Sequence, residues 1–229
     1  MNRYRYVDAC LVVAGIASGL IGNYDSPVGQ VSKIVPATYA FTIWALIYGT
    51  GLYFAWWLIR RSNVELGSGG HLLALSFFMS GLWVRVQSDI ALQLVVVASN
   101  LVVVLAQAHV ISKVSIPSRK DFIAVALPSG TLAGWLTLAT AVTFSDGLNI
   151  SFKSTATVAT FTAVAVLCAL SFATWVVPTQ TYRLTLVWGL VGIVIEQYSQ
   201  SAQVAAVAAV GALVAIWMIS RMKIKPATL

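Results

Sequence analysis

Phe41, Trp44, Tyr48, Gly51 and Ala55 recur at alternating three- and four-residue intervals, the spacing that brings side chains onto one face of a helix. Three aromatic rings beside two small residues form a flat apolar wall on which a planar ligand can stack. The same spacing also fits an ordinary buried aromatic seam between helices. Glu196 closes an apolar run, on the helical face of Gly189 and Gly192, and is followed by Gln197, Gln200 and Gln203. It either lines a polar cavity as a proton or cation coupling group or marks a helix end in headgroup water. Arg85 and Asp89 lie four residues apart; they either pair at a surface turn or stand at the mouth of a pocket beside Trp83. Asn100 and Gln107 share a helical face, and their amides suit hydrogen bonds between helices. His71 is expected in a loop, and His109 has no second His or Cys at ligand spacing, so no metal site is expected. No Ser-His-Asp set, HExxH or phosphate loop is present, and neither an enzyme nor a required cofactor is expected.

The elements that must carry these residues follow from composition. The chain has 229 residues, 59% hydrophobic and 9% charged, with a mean hydropathy of +0.86; a soluble domain carries about 25% charged residues. A water-soluble enzyme, a disordered tail and a nucleic-acid-binding domain are therefore excluded, and the net charge of +7 reads as membrane topology. Runs such as LVVVASNLVVVLA are continuous rather than alternating, which excludes a β-barrel. The expected fold is all-α, a polytopic transmembrane helix bundle forming one integral membrane domain over 1–229. A bilayer crossing takes about 20 apolar residues, which gives about eight spans: 7–22, 37–59, 71–87, 89–111, 122–144, 154–177, 182–197 and 201–220. Between the third and fourth, Arg85-Val-Gln-Ser-Asp89 is either a tight turn or the middle of one broken helix. The first span reads as a retained helix rather than a cleaved signal.

Eight spans place both termini on one side, with Arg3, Arg5, Arg60, Arg61, Lys113, Arg119, Lys120, Arg183, Arg221, Lys223 and Lys225. Only Lys33, Arg85 and Lys153 remain for the other side. Basic residues concentrate in cytoplasmic loops, so both termini are expected to be cytoplasmic, in a bacterial inner membrane or an organelle membrane. Cys10 and Cys168 sit inside spans and imply no disulfide. Small residues four apart allow close helix approach: Gly15 and Gly19, Gly130 and Gly134, Ala205 and Ala209, Ala208 and Ala212, Gly211 and Ala215. They serve either packing within the chain or a homodimer face. Trp56, Trp57, Trp175 and Trp217 are expected in interfacial belts. Pro128 is expected to kink its span or end its first turn. The loop from Asn23 to Val35, with Asp25, Pro27, Gly29 and Lys33, either covers a cavity or is a relaxed surface loop.

The segment Pro36-Ala-Thr-Tyr-Ala-Phe-Thr-Ile-Trp-Ala-Leu-Ile-Tyr48 resembles the second helix of the TspO/MBR family, the tryptophan-rich sensory or translocator proteins, and is most similar to its longer members. SFFMSGLWVRVQ (76–87), ALPSGTLAGWLTLAT (126–140) and YRLTLVWGLVGI (182–193) resemble further family segments in the same order. The resemblance implies an all-helical membrane fold with a pocket among the helices, capped by the first loop, that takes planar apolar ligands such as porphyrins and sterols. Pro36, Phe41, Trp44 and Tyr48 match the second-helix motif, Trp83 the third-helix Trp, and Pro128, Trp135 and Ala139 a later helix. The chain departs from the pattern in having only Pro36 where short members have tandem prolines. It also has Gly81 in place of an Asn, Thr143 and Phe144 where another Asn usually stands, and additional helices.

The resulting expectation is a binding or sensory protein whose cavity lies between the second, third, fifth and seventh helices, lined by Pro36, Tyr39, Phe41, Trp44, Tyr48, Trp83, Trp135 and Trp188. Its partners would be the lipid bilayer and a small hydrophobic ligand, a tetrapyrrole, sterol or isoprenoid-like molecule, with no nucleic acid. The alternative is a small secondary carrier using Glu196, with Asn100 and Arg85 as further polar candidates. The echo of WALIYG (44–49) in WGLVGI (188–193) suits the inverted repeats of many carriers.

Overall fold

The computed structural model describes residues 4–21, 34–60, 66–86, 89–116, 118–152, 177 and 179–221, with backbone alone over 147–152. Seven long helices result: α1 (Tyr4–Ile21), α2 (Ile43–Arg60), α3 (Ser68–Arg85), α4 (Ile90–Ser112), α5 (Leu127–Phe152), α6 (Gln180–Gln197) and α7 (Ala202–Ser220). A 3₁₀ turn, Thr38–Thr42, leads into α2, and a helical turn, Arg119–Asp121, leads toward α5. No strand occurs among the described residues. Among the described residues, five segments are long and apolar enough to cross a membrane: Tyr4–Ile21, Thr38–Arg60, Ile90–Ser112, Arg119–Asp146 and Ala202–Ser220. α3 and α6 each have 18 residues but carry Ser, Thr, His, Arg, Gln or Glu side chains within their runs. Apart from Val177, the expected span 154–177, with Cys168 and Trp175, lies outside the described residues, as do Asp25, Pro27, Gly29 and Lys33.

Helix ends follow local chemistry. Asp89 accepts from the backbone N–H groups of Ala91 and Leu92 at 3.0 and 3.1 Å, capping α4. α3 and α4 are thus separate helices that pack on each other, not two halves of one broken helix. Gly67, with φ +52°, precedes α3 in a conformation that suits glycine. Between the Arg119–Asp121 turn and α5, Phe122–Ala126 forms a π turn in which Leu127 N–H donates to the Phe122 carbonyl. Pro128 follows directly and has no N–H to continue the ladder, which accounts for the irregularity there.

Side-chain and backbone contacts define how the helices are ordered. α1 packs on α3, α3 on α4, α4 on α5, α5 on α2 and α2 on α1, closing a ring of five. α6 packs on α5 and touches the 3₁₀ turn, and α7 lies against α6. The α1–α3 crossing is a backbone contact: a Cβ on Gly15 would collide with the Phe77 carbonyl, and one on Gly81 with the Gly15 carbonyl. Gly130 and Gly134 admit Thr181, Tyr182 and Thr185 of α6. On α7, Ala205, Ala208, Gly211, Ala212 and Ala215 are buried. These small-residue faces are occupied within the chain.

Polar bonds join the apolar faces. Fully buried Asn100 donates from Nδ2 to the Ser76 carbonyl at 3.2 Å and to Ser80 Oγ at 3.0 Å. Fully buried Gln107 donates from Nε2 to the Ser129 carbonyl at 3.3 Å. α4 is thereby tied to α3 on one side and α5 on the other, as their shared face foreshadows. Such bonds are worth about 0.6 kcal/mol on average between membrane helices, so their main effect is to fix register.

Candidate aromatic site

Trp135 sits in the middle of α5, just 3% exposed, with Gly134 beside it allowing α6 to approach. Phe41, in the 3₁₀ turn, meets the Trp135 ring edge-on at 5.5 Å. Trp44, on the first turn of α2, meets it edge-on at 6.3 Å. Trp44 and Tyr48 lie tilted by 36° with centroids 5.1 Å apart. Tyr48 then reaches α1, where its ring terminus fills the space over Gly19, and Gly51 one turn on accepts the ring of Phe77 from α3. The 41–44–48–51 face therefore looks across α5, α1 and α3 in succession. One end of the network is locked, while the Phe41 ring remains 43% exposed. Edge-to-face pairs are the favoured aromatic geometry, worth about 0.5–1.5 kcal/mol beyond area burial, so the four rings hold one another in place.

The remaining expected lining residues are distributed differently. Tyr39 pairs edge-on with Trp188 at 5.4 Å, forming a second aromatic contact, and the Trp188 N–H donates to the Ala40 carbonyl at 2.9 Å. Pro36 is buried under α6, in line with Gly192. Trp83, in the last turn of α3, is half-buried, and among the described residues it makes no ring contact and its buried indole N–H has no partner. Arg85 does not pair with Asp89: its Nε donates to Ser18 Oγ of α1 at 3.1 Å, while Asp89 is committed to the α4 cap. Glu196 is half-buried in the last turn of α6 and accepts from Gln200 Nε2 at 3.1 Å in an exposed bond.

Two acidic positions carry interactions that residue spacing did not reveal. Asp8, buried on α1, lies 2.7 Å from His71 Nδ1. His71 is thus on α3 rather than in a loop, with Tyr4 edge-on to its ring at 6.1 Å. Asp121, also buried, accepts from Trp57 Nε1 at 2.9 Å and from Ser118 Oγ at 2.5 Å. Trp57 is therefore an internal residue and not part of an interfacial belt; its neighbour Trp56 is 52% exposed. The Ser118-x-x-Asp121 pattern just before an apolar run is a helix-start signature and could have pointed to this position.

The family described as TSPO-like protein matches residues 15–221. The chain belongs to the TSPO-like family. The match runs from the second half of α1 into the end of α7, so α6 and α7 are part of the matched pattern and not an appendage to the ring. The apolar helices and the family together make this TSPO-like chain an integral membrane protein. No curated protein and no solved structure matches it.

Proposed function

We propose that this TSPO-like membrane protein is a binding or sensory protein for a planar hydrophobic ligand, a tetrapyrrole, sterol or isoprenoid-like molecule, held against the Phe41–Trp44–Tyr48–Trp135 surface. The observation that carries the reading is the ring network itself: Trp135 is enclosed and edge-on to two rings, and Phe41, one of those two, keeps 43% of its surface open. A flat apolar molecule gains area burial and stacking there without a catalytic group. A tetrapyrrole would be the ligand, not a resident cofactor.

The test is a tryptophan-fluorescence titration of detergent-purified protein with protoporphyrin. Saturable quenching is expected, with affinity about tenfold weaker in Trp44→Ala. Unchanged affinity in both Trp44→Ala and Tyr48→Ala overturns the placement. Glu196→Gln should leave the titration unchanged; proton-dependent uptake abolished by that substitution would instead favour a carrier.

The same reading includes eight spans with both termini cytoplasmic. α5 and α6 run in the same direction, since Gly130 faces Thr181 and Gly189 faces Leu138, and an eight-span path requires that pair to be parallel.

A further inference from the structure

The turn that carries Phe41 is not held by its own backbone alone. A 3₁₀ segment has poor hydrogen-bond geometry and persists only in short pieces, and here Ala37 leads into it with no side-chain cap, after Pro36, which lacks an N–H. α6 grips this turn at its entry and at its middle. Ala37 N–H donates to the Gly192 carbonyl at 3.0 Å, and Trp188 Nε1 donates to the Ala40 carbonyl at 2.9 Å. Between these two bonds, Tyr39 packs edge-on against the Trp188 ring. Gly192 permits the approach: a Cβ there would come to 2.8 Å from Ala40 Cβ and 3.1 Å from Pro36 Cβ. Ala40 is fully buried beneath this contact, and the next residue, Phe41, is the partly open ring that stands against Trp135.

Resting on the ligand-binding reading, we propose that Trp188 and Gly192 of α6 are positioning residues for the aromatic site. They clamp Ala37 to Ala40 and so set where Phe41 stands relative to Trp135. Trp188 acts through the turn rather than through the ligand, because its N–H is already committed to the Ala40 carbonyl. α6 thereby controls one rim of a surface otherwise built by α2 and α5.

Two variants separate this role from general stability. Trp188→Phe keeps a ring for Tyr39 and loses the N–H; Gly192→Ala keeps the N–H and pushes on Ala40 and Pro36. Hydrogen–deuterium exchange is measured on the unliganded, detergent-purified full chain, followed by the protoporphyrin titration. Both variants should speed exchange of the amides over 38–43 several-fold, with those of α4 and of α2 beyond Ile47 unchanged. Both should weaken protoporphyrin affinity about fivefold, the equivalent of one hydrogen bond. Exchange over 38–43 that stays as in the unsubstituted chain for both variants overturns the clamp, whatever the ligand does. Faster exchange with undiminished affinity, in a protein whose affinity does fall in Trp44→Ala, overturns the link to the site while the binding reading stands. If the unsubstituted chain shows no saturable quenching, the binding reading fails and takes the link with it, and the exchange experiment still decides the clamp.

Discussion

Trp57 donates its indole N–H to Asp121 at 2.9 Å with both side chains enclosed, whereas the adjacent Trp56 stacks on Tyr53 at 5.5 Å and stays 52% exposed. The two residues differ by one step of about 100° around the helix, and that step decides which of them has structural weight. Replacing Trp57 by Phe keeps most of the apolar bulk but leaves a buried carboxyl oxygen without one of its donors, which costs about 1–3 kcal/mol. Trp56→Phe should change stability by no more than about 0.5 kcal/mol. SDS-induced unfolding in mixed micelles measures both, and equal losses would remove the special role of the Trp57–Asp121 bond. The pair also shows where residue-level reading stops. Both Trp residues precede Arg60, so proximity to charge assigns them alike, and the partner that separates them lies 64 residues away. The role of Asp8 is hidden in the sequence for the same reason, because its counterpart His71 belongs to another helix. Asn100 and Gln107 were readable, since a polar amide pair on one face of an apolar helix has few uses other than bonding to neighbours.

At the scale of elements, the α1–α3 crossing is the tightest test of packing. Gly81→Ala would place a Cβ against the Gly15 carbonyl and within 2.9 Å of Gly15 Cα; neither is a flexible side-chain end that can move aside. The helices would have to separate, and overpacking of this kind costs about 1–3 kcal/mol. Gly49→Ala on α2 is the matched comparison, because a Cβ there meets nothing within 4 Å. That variant should be neutral or gain up to about 1 kcal/mol from helix propensity. Thermal unfolding of the two in the same detergent checks the contrast, and a tolerated Gly81→Ala would mean that the crossing is looser than described. Element boundaries were largely legible: α3, expected at 71–87, occupies Ser68–Arg85, and α4, expected at 89–111, occupies Ile90–Ser112. Charges and an Asp cap punctuate those apolar runs, and both signals are local. The glycines announced close approach but not to what, because Gly15 meets α3 and Gly130 meets α6 only through the tertiary arrangement. The same limit separates Trp83 from the aromatic network: its place depends on how α3 slides along α1, which the Gly15–Gly81 contact sets.

For the whole molecule, the helix pairings sort the charges without reference to any membrane. Asp8 faces His71, Trp57 faces Asp121, Gln107 faces Ser129 and Arg183 bonds the Met218 carbonyl. Together with Gly69 against Ile111 and Gly130 against Thr181, these contacts gather the start of α1, the end of α2, the start of α3, the end of α4, the start of the α5 segment, the start of α6 and the end of α7 at one end of the bundle. Among the described residues, Arg5, Arg60, Lys113, Arg119, Lys120, Arg183 and Arg221 lie at that end, and only Arg85 lies at the other. The described basic residues thus gather at one end of the bundle. In the proposed orientation, with the basic end in the cytoplasm as the positive-inside rule would have it, Phe41, Trp44 and the α6 clamp would stand in the half nearer the opposite face. Single-cysteine labelling tests this orientation in a background with Cys10→Ala and Cys168→Ala. Ser199→Cys, exposed beyond α6, should react with a membrane-impermeant maleimide on intact cells. Ser115→Cys, exposed beyond α4, should react only after permeabilisation. The reverse pattern would invert the protein in the membrane and place the mouth of the aromatic site on the cytoplasmic side. A ligand made in the cytosol could then enter it directly; in the expected orientation, the ligand must come from the bilayer or from the far side.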